Sequence, residues 1–228
     1  MTPIVDAIQA GDLAALDALL ATHPGLAAER IVDGKGVART PLHVVADWPG
    51  YFPNGPAVVE RLVAAGGDPN AALVGAQHTE TPLHWAASSD DVDVADALID
   101  AGANLEATGA VIAGGTPLDD AVAFGCWHVA HRLVARGARV DKLWHAAGLG
   151  MLARTEQLLV DATQDEIDGA FWQACHGGQR RAAELLLARG AALDAVPRHS
   201  KETPLGAARK LGARRDLLVA WLVERGAK

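Results

Sequence analysis

Cysteine is nearly absent from this chain: two residues in 228, Cys126 and Cys175, too few for a disulfide framework. A reducing setting is the simplest expectation. Long apolar runs are missing as well. Half of the residues are hydrophobic, yet no stretch of about 18 uninterrupted apolar residues occurs, so a membrane-spanning helix is not expected. The first residues, Met1-Thr2-Pro3-Ile4-Val5-Asp6, lack the basic start and apolar run of a secretory leader, and a cytoplasmic location is expected. No phosphate-cradling loop, dinucleotide fingerprint or Ser-His-Asp arrangement is visible. Gly34-Lys35-Gly36 and Gly114-Gly115-Thr116 read as loop punctuation. No cofactor and no catalytic residue is assigned.

Basic charge is scarce in the first half. Residues 1–114 hold 15 acidic and 4 basic side chains, a balance of −11, whereas residues 115–228 hold 13 and 16, a balance of +3. The first half would repel a phosphate backbone and the second is too weakly positive to hold one, so neither nucleic acid nor membrane is expected as a partner. The imbalance reads either as a well-solvated surface or as a preference for a basic partner near the N-terminal half.

Against these absences stands one recurrent tetrapeptide. Thr40-Pro41-Leu42-His43 returns as Thr81-Pro82-Leu83-His84 and, more weakly, as Thr116-Pro117-Leu118-Asp119 and Thr203-Pro204-Leu205-Gly206. Its chemistry is that of a helix start. Threonine can cap free backbone N–H groups, and proline fits the first helical position, where no N–H is needed. Terminators recur too: Gly66-Gly67-Asp68, Gly102-Ala103-Asn104, Gly137-Ala138-Arg139, Gly190-Ala191-Ala192 and Gly226-Ala227. Glycine there supplies a left-handed C-cap. A mid-turn residue lies 12 positions before the terminator in three units: Asp90 before Gly102, Gly125 before Gly137, Gly178 before Gly190.

The unit from Thr81 to Ala107 closely resembles an ankyrin repeat, with its first helix, tight turn, second helix carrying Leu98-Ile99, and Gly-Ala-Asn end. The resemblance implies an all-α ankyrin-repeat solenoid of six to seven helix-turn-helix units with short or missing β-hairpin loops. It spans 1–228 as a single domain, with units at about 2–30, 38–72, 79–107, 114–141, 142–162, 168–196 and 201–228. Successive Thr-Pro starts lie 41 and 35 residues apart, against about 33 in a regular array. Extra residues fall in Asp47–Pro56, and the stretch from Leu118 to Leu143 is short enough to leave almost no hairpin. The helices at Leu143 and at Phe171 start without a Thr-Pro cap. The Ala, Gly and Arg bias suggests a bacterial source.

An ankyrin stack implies a binding function, with partner contacts on its concave side. Carried over by position, the first-helix turn sites are Asp47-Trp48, Ser88-Ser89, Ala123-Phe124, Gly148-Leu149, His176-Gly177 and Lys210-Leu211. Of these, Asp47, Trp48, Ser88, Ser89, Phe124 and His176 are the partner-binding candidates, aromatics being enriched at binding hot spots. The resemblance also implies that His43 and His84 tie neighbouring units together. Six tryptophans accompany a single tyrosine and three phenylalanines. Trp85, Trp144 and Trp172 read either as packing in irregular units or as walls of a pocket, with Trp144, His145, Trp172 and Gln173 lining it beside His176. The pocket reading carries the alternative function, small-molecule binding or enzymatic.

Other constellations carry less. Cys126, His128 and His131 lie within one and a half helical turns, but zinc needs a further ligand and a supporting shell, so no metal site is assigned. Cys175 and His176, adjacent on a helix, point about 100° apart and cannot act as nucleophile and base. Asp119 and Asp120 read as first-turn acids that suit a helix dipole. Arg209, Lys210, Arg214, Arg215, Glu224 and Arg225 give the last unit the polar dress of a cap. The chain is expected to be a monomeric adaptor or scaffold for an unidentified protein partner.

Overall fold

The computed structural model describes residues 2–198, 200–210 and 216–228; Leu211, Arg214 and Arg215 lie outside the described residues. Fourteen helices pair off as helix-turn-helix units among them. They fall into two compact units, residues up to Ala138 and from Arg139 onward. The first unit contains α1 (Pro3–Ala10) and α2 (Leu13–Thr22), α3 (Pro41–Val45) and α4 (Gly55–Ala64), α5 (Pro82–Ser88) and α6 (Val92–Asp100), and α7 (Pro117–Phe124) and α8 (Trp127–Ala135). One short antiparallel hairpin, β1 (Ile31–Val32) and β2 (Ala38–Arg39), precedes α3. The second unit contains α9 (Leu143–Gly148) and α10 (Leu152–Leu158), α11 (Gln164–His176) and α12 (Arg180–Ala188), and α13 (Pro204–Arg209) and α14 (Asp216–Glu224).

In the first unit α1, α3, α5 and α7 pack in chain order as one layer, and α2, α4, α6 and α8 as another. Leu42, Leu62, Leu83, Leu98, Leu118 and Leu133 are fully buried between them. No helix pair could bury this surface alone, so each depends on its neighbours. In the second unit α11 packs between α9 and α13, with Phe171 and Cys175 in the core.

The Thr-Pro-Leu-His motif does two things at once. The Thr40 backbone N–H donates to His43 Nδ1 at 3.2 Å, and the Thr40 hydroxyl lies 2.8 Å from the same nitrogen. An accepting Nδ1 leaves the proton on Nε2. That N–H then reaches the Glu80 carbonyl of the following repeat at 3.1 Å. His84 repeats the arrangement, with Thr81 behind it and the Gly115 carbonyl ahead at 3.4 Å. Burial lowers both histidines from 6.5 to about 4, so each stays neutral and keeps the tautomer that bridges. In the third motif Asp119 closes the box backward, accepting from Thr116 N at 2.7 Å and its hydroxyl at 2.9 Å.

The left-handed turn residue explains the 12-residue ruler. Asp90 (φ 55°), Gly125 (φ 74°), Gly150 (φ 70°) and Gly178 (φ 70°) all reverse the chain between the helices of a pair. Counted from it, the residue six positions earlier is His84, Asp119, Trp144 and Trp172 in turn. Trp172 therefore stands in the histidine's register. Its indole Nε1–H donates to the Glu202 carbonyl at 2.9 Å, as His43 does to Glu80.

One helix start differs from the sequence reading. Helix α11 begins at Gln164, ahead of both the unit boundary at 168 and Phe171. Thr163 and Glu166 cap it: the Glu166 carboxylate accepts from Thr163 N at 2.8 Å and from its hydroxyl at 2.7 Å. This capping box contains no proline, so a Thr-Pro ruler passes over it.

The Asp47–Pro56 insertion is an ordered strap. Asn54 donates to the Gly11 carbonyl at 2.9 Å on one side. On the other, Tyr51 N donates to the Asp91 carboxylate at 2.6 Å and Tyr51 OH to the Asp90 carbonyl. Gly11 is left-handed (φ 63°), and a Cβ there would overlap the Pro53 carbonyl, so glycine is required on two counts.

Replacing Trp172 with Phe keeps the ring but removes the donor to Glu202. The expected loss is about 1–3 kcal/mol in urea denaturation. Trp48→Phe, at an exposed position, is expected to stay within about 0.5 kcal/mol of the parent. Equal effects at the two positions would contradict the bridging role.

Candidate functional site

Five of the partner-binding candidates meet at one place. A groove of about 360 Å³ in the first unit is lined by Asp47, Trp48, Glu80, Trp85, Ser88, Ser89, Val111 and Phe124. Asp47 and Trp48 follow α3, Ser88 and Ser89 close α5, and Phe124 ends α7, so three consecutive inter-helix turns contribute. Trp48 is 78% exposed and Phe124 50%. Packing does not account for either ring. Ser89 ties two of these turns, its hydroxyl donating to the Ala46 carbonyl at 3.1 Å.

Trp85 is both wall and packing residue. Half-buried, it sits edge-on to His43 at 5.2 Å, and the Arg39 guanidinium lies over its ring at 5.8 Å. Arg39 also pairs with Asp47 at 2.8 Å. Burial raises the Asp47 carboxyl, and the Arg39 charge pulls it back down.

Two acids stand at the groove: Glu80, in its wall, which the sequence pattern does not single out, and Asp120, which lies in the first turn of α7 as expected and is fully buried (0% exposed). Counting from Gly125, it occupies on α7 the place that Trp85 occupies on α5. Its Oδ1 accepts from the Ile112 N–H at 3.4 Å, its Oδ2 is buried without a hydrogen-bond partner among the described residues, and Glu80, Trp85 and Val111 line the groove in front of it. Burial, then the neighbouring Glu80 charge, raises Asp120 from 3.8 to about 8. Glu80 is also raised, chiefly by burial. At neutral pH Asp120 therefore keeps its proton. The sequence signal available was the place of Glu80 immediately before Thr81-Pro82, where its carbonyl is claimed by the preceding repeat's histidine and its side chain turns into the groove.

The remaining candidates lie in the second unit. His145 (1% exposed) and Gln173 (2%) are buried, as is Trp172, while Trp144 is half-buried. Trp144 meets His145 edge-on at 4.2 Å. His176, half-exposed at the end of α11, stacks on Trp172 at 5.0 Å and lies 3.2 Å from the Gln173 amide. Cys175 is fully buried, and burial pushes its thiol up to about 12. Cys126 is also buried, its thiol raised to about 11 by burial first, and it donates to the Ser88 carbonyl at 3.3 Å. His128 pairs with Asp90 at 2.7 Å on the surface. Among the described residues no group of three potential metal ligands converges, and no helix is long and apolar enough to cross a membrane.

Comparison with known proteins places these observations. The family model for ankyrin repeats (3 copies) matches residues 42–142. No curated protein sequence matches the chain. Among solved structures, the ankyrin repeat domain of Bcl-3, described as a unique member of the IkappaB protein family, is similar at 27% identity and a TM-score of 0.54, over 98% of each chain. The human ASB11 ankyrin repeat domain is similar in fold at 21% identity and a TM-score of 0.58, over 100% of this chain and 99% of that one.

The buried acid makes stability pH-dependent in a definite direction. The folded state keeps the Asp120 proton while the unfolded chain loses it above 3.8, so this contribution is present at low pH and falls away as pH rises towards 8. The total is on the order of several kcal/mol. His43 and His84 act oppositely: their contribution is intact above 6.5 and lost as pH falls towards 4. Asp120→Asn is therefore expected to gain stability over the parent at pH 8 and to lose that advantage near pH 4. Thermal denaturation at the two pH values checks this, and a gain of equal size at both would rule it out.

Proposed function

We propose that this chain, whose residues 42–142 match ankyrin repeats, serves as an adaptor holding a protein partner on its first-helix, concave side through the groove between Trp48 and Phe124. Ankyrin-repeat domains are protein-interaction modules. The observation that carries the proposal is the convergence of two exposed aromatic rings from different repeats on one groove. Neither ring contributes to a core, and large rigid side chains bury much area at little entropic cost when a partner covers them. Ser88 and Ser89 supply polar contacts at the rim. The burial of His145, Gln173 and Trp172, and the bond from Trp172 to Glu202, favour packing over a ligand pocket in the second unit.

Quantitative affinity capture from the native host tests this reading. A stoichiometric partner is expected with the parent chain. Trp48→Ala and Phe124→Ala should each weaken its retention by about 30-fold or more, corresponding to hot-spot losses of about 2 kcal/mol. Melting temperatures of both variants should stay close to the parent's, since neither ring is buried. Retention unchanged in both variants would place the contact elsewhere.

A further inference from the structure

We infer that the groove receives an arginine side chain from a basic segment of the partner, its guanidinium directed at Glu80 and its stem lying against Trp48 and Phe124. The inference rests on the proposed binding function and names the chemistry of what is bound.

Charge within the groove gives the first argument. Three carboxyl groups lie on or behind its surface, those of Asp47, Glu80 and Asp120. The charge of Asp47 is met by Arg39, and Asp120 is neutral. Glu80 is the remaining carboxyl group of the groove wall, and it makes no ion pair among the described residues. Its side chain is itself part of the groove wall, beside Trp85 and Val111 and between the two exposed rings of Trp48 and Phe124. An apolar side chain entering there would desolvate that carboxyl group without compensation, which is costly. An acidic one would meet direct repulsion.

Shape and surroundings narrow the cation. A guanidinium is planar, weakly hydrated and able to stack on aromatic faces while donating in its plane, and an ammonium lacks the flat donor fork. The groove already handles one guanidinium this way, since Arg39 lies over Trp85 while bonding Asp47. Trp48 and Phe124 are the aromatic faces not so occupied. At longer range, residues 1–138 carry 17 acidic against 6 basic side chains, a balance of −11, and such a field draws in a basic segment and speeds its association.

The test is selection of a displayed library of random short peptides against the full chain, followed by affinity measurement on the winners through tryptophan fluorescence. Binders sharing an arginine are expected. Replacing that arginine by citrulline, which keeps shape and removes charge, should weaken binding about tenfold or more, with the protein itself unaltered. Glu80→Gln should do the same for the arginine peptide and have little effect on its citrulline form, and Trp48→Ala should weaken both. Winners that depend on Trp48 but are apolar or acidic, or bind equally well as citrulline forms, would overturn the arginine inference and leave the groove as the binding site. Winners indifferent to Trp48 and Phe124, or no winners at all, would overturn both.

Discussion

An imidazole N–H given to the carbonyl of the next repeat is the bond on which the first unit's geometry turns. It exists because Nδ1 of the same ring is occupied by the capping threonine, which leaves Nε2 protonated and pointing forward. Burial keeps the ring neutral, so the donor is never converted to a cation in the core. Helix start and repeat spacing are thus set by one side chain. The Glu80 carbonyl receives both His43 and the Leu73 N–H, which fixes the backbone at Glu80 and with it the direction of the Glu80 carboxylate. Assembly of the stack and charge in the groove are consequences of the same contact.

The distribution of aromatics follows from the same logic. Where the histidine is replaced, something else must occupy its register. Asp119 closes its own helix start, whereas Trp172 donates forward through its indole. Trp85 lies one place after the histidine, where a ring can both shield His43 and face outward. Trp48 and Phe124, in the turns, have no register to hold and are left at the surface. Position within the repeat, more than residue type, separates the structural rings from the available ones.

That distinction sets how much was legible in the sequence. The repeat and its helix starts could be read because each depends on short-range chemistry spaced at a fixed period, whereas the tying role of His43 and His84, a contact more than 30 residues away in the chain, was implied only by the resemblance to ankyrin repeats. The grouping of Asp47, Trp48, Ser88, Ser89 and Phe124 could be read for the same reason, as equivalent turn positions in successive units. Helix α11 began earlier than expected because its cap uses Thr163 and Glu166 without a proline. The place of Asp120 in the first turn of α7 is legible, but its burial is not, because adjacent acids at a helix start look alike in sequence, while the helix turns one toward its cap and the other into the core. Glu80 went unnoticed because its importance comes from a partner 40 residues away in the chain.

The strap over the second helix pair has a mechanical meaning. An array whose units touch only their neighbours can fray from an end, one unit at a time, with stability close to a sum of local terms. Here Asn54 holds the first pair, Tyr51 holds the third, and the loop between them belongs to the second. Loss of the first pair would free one end of that loop and loosen its hold on the third. The first three pairs are therefore coupled beyond nearest neighbours, and under tension they would give way together, as a block, instead of peeling apart.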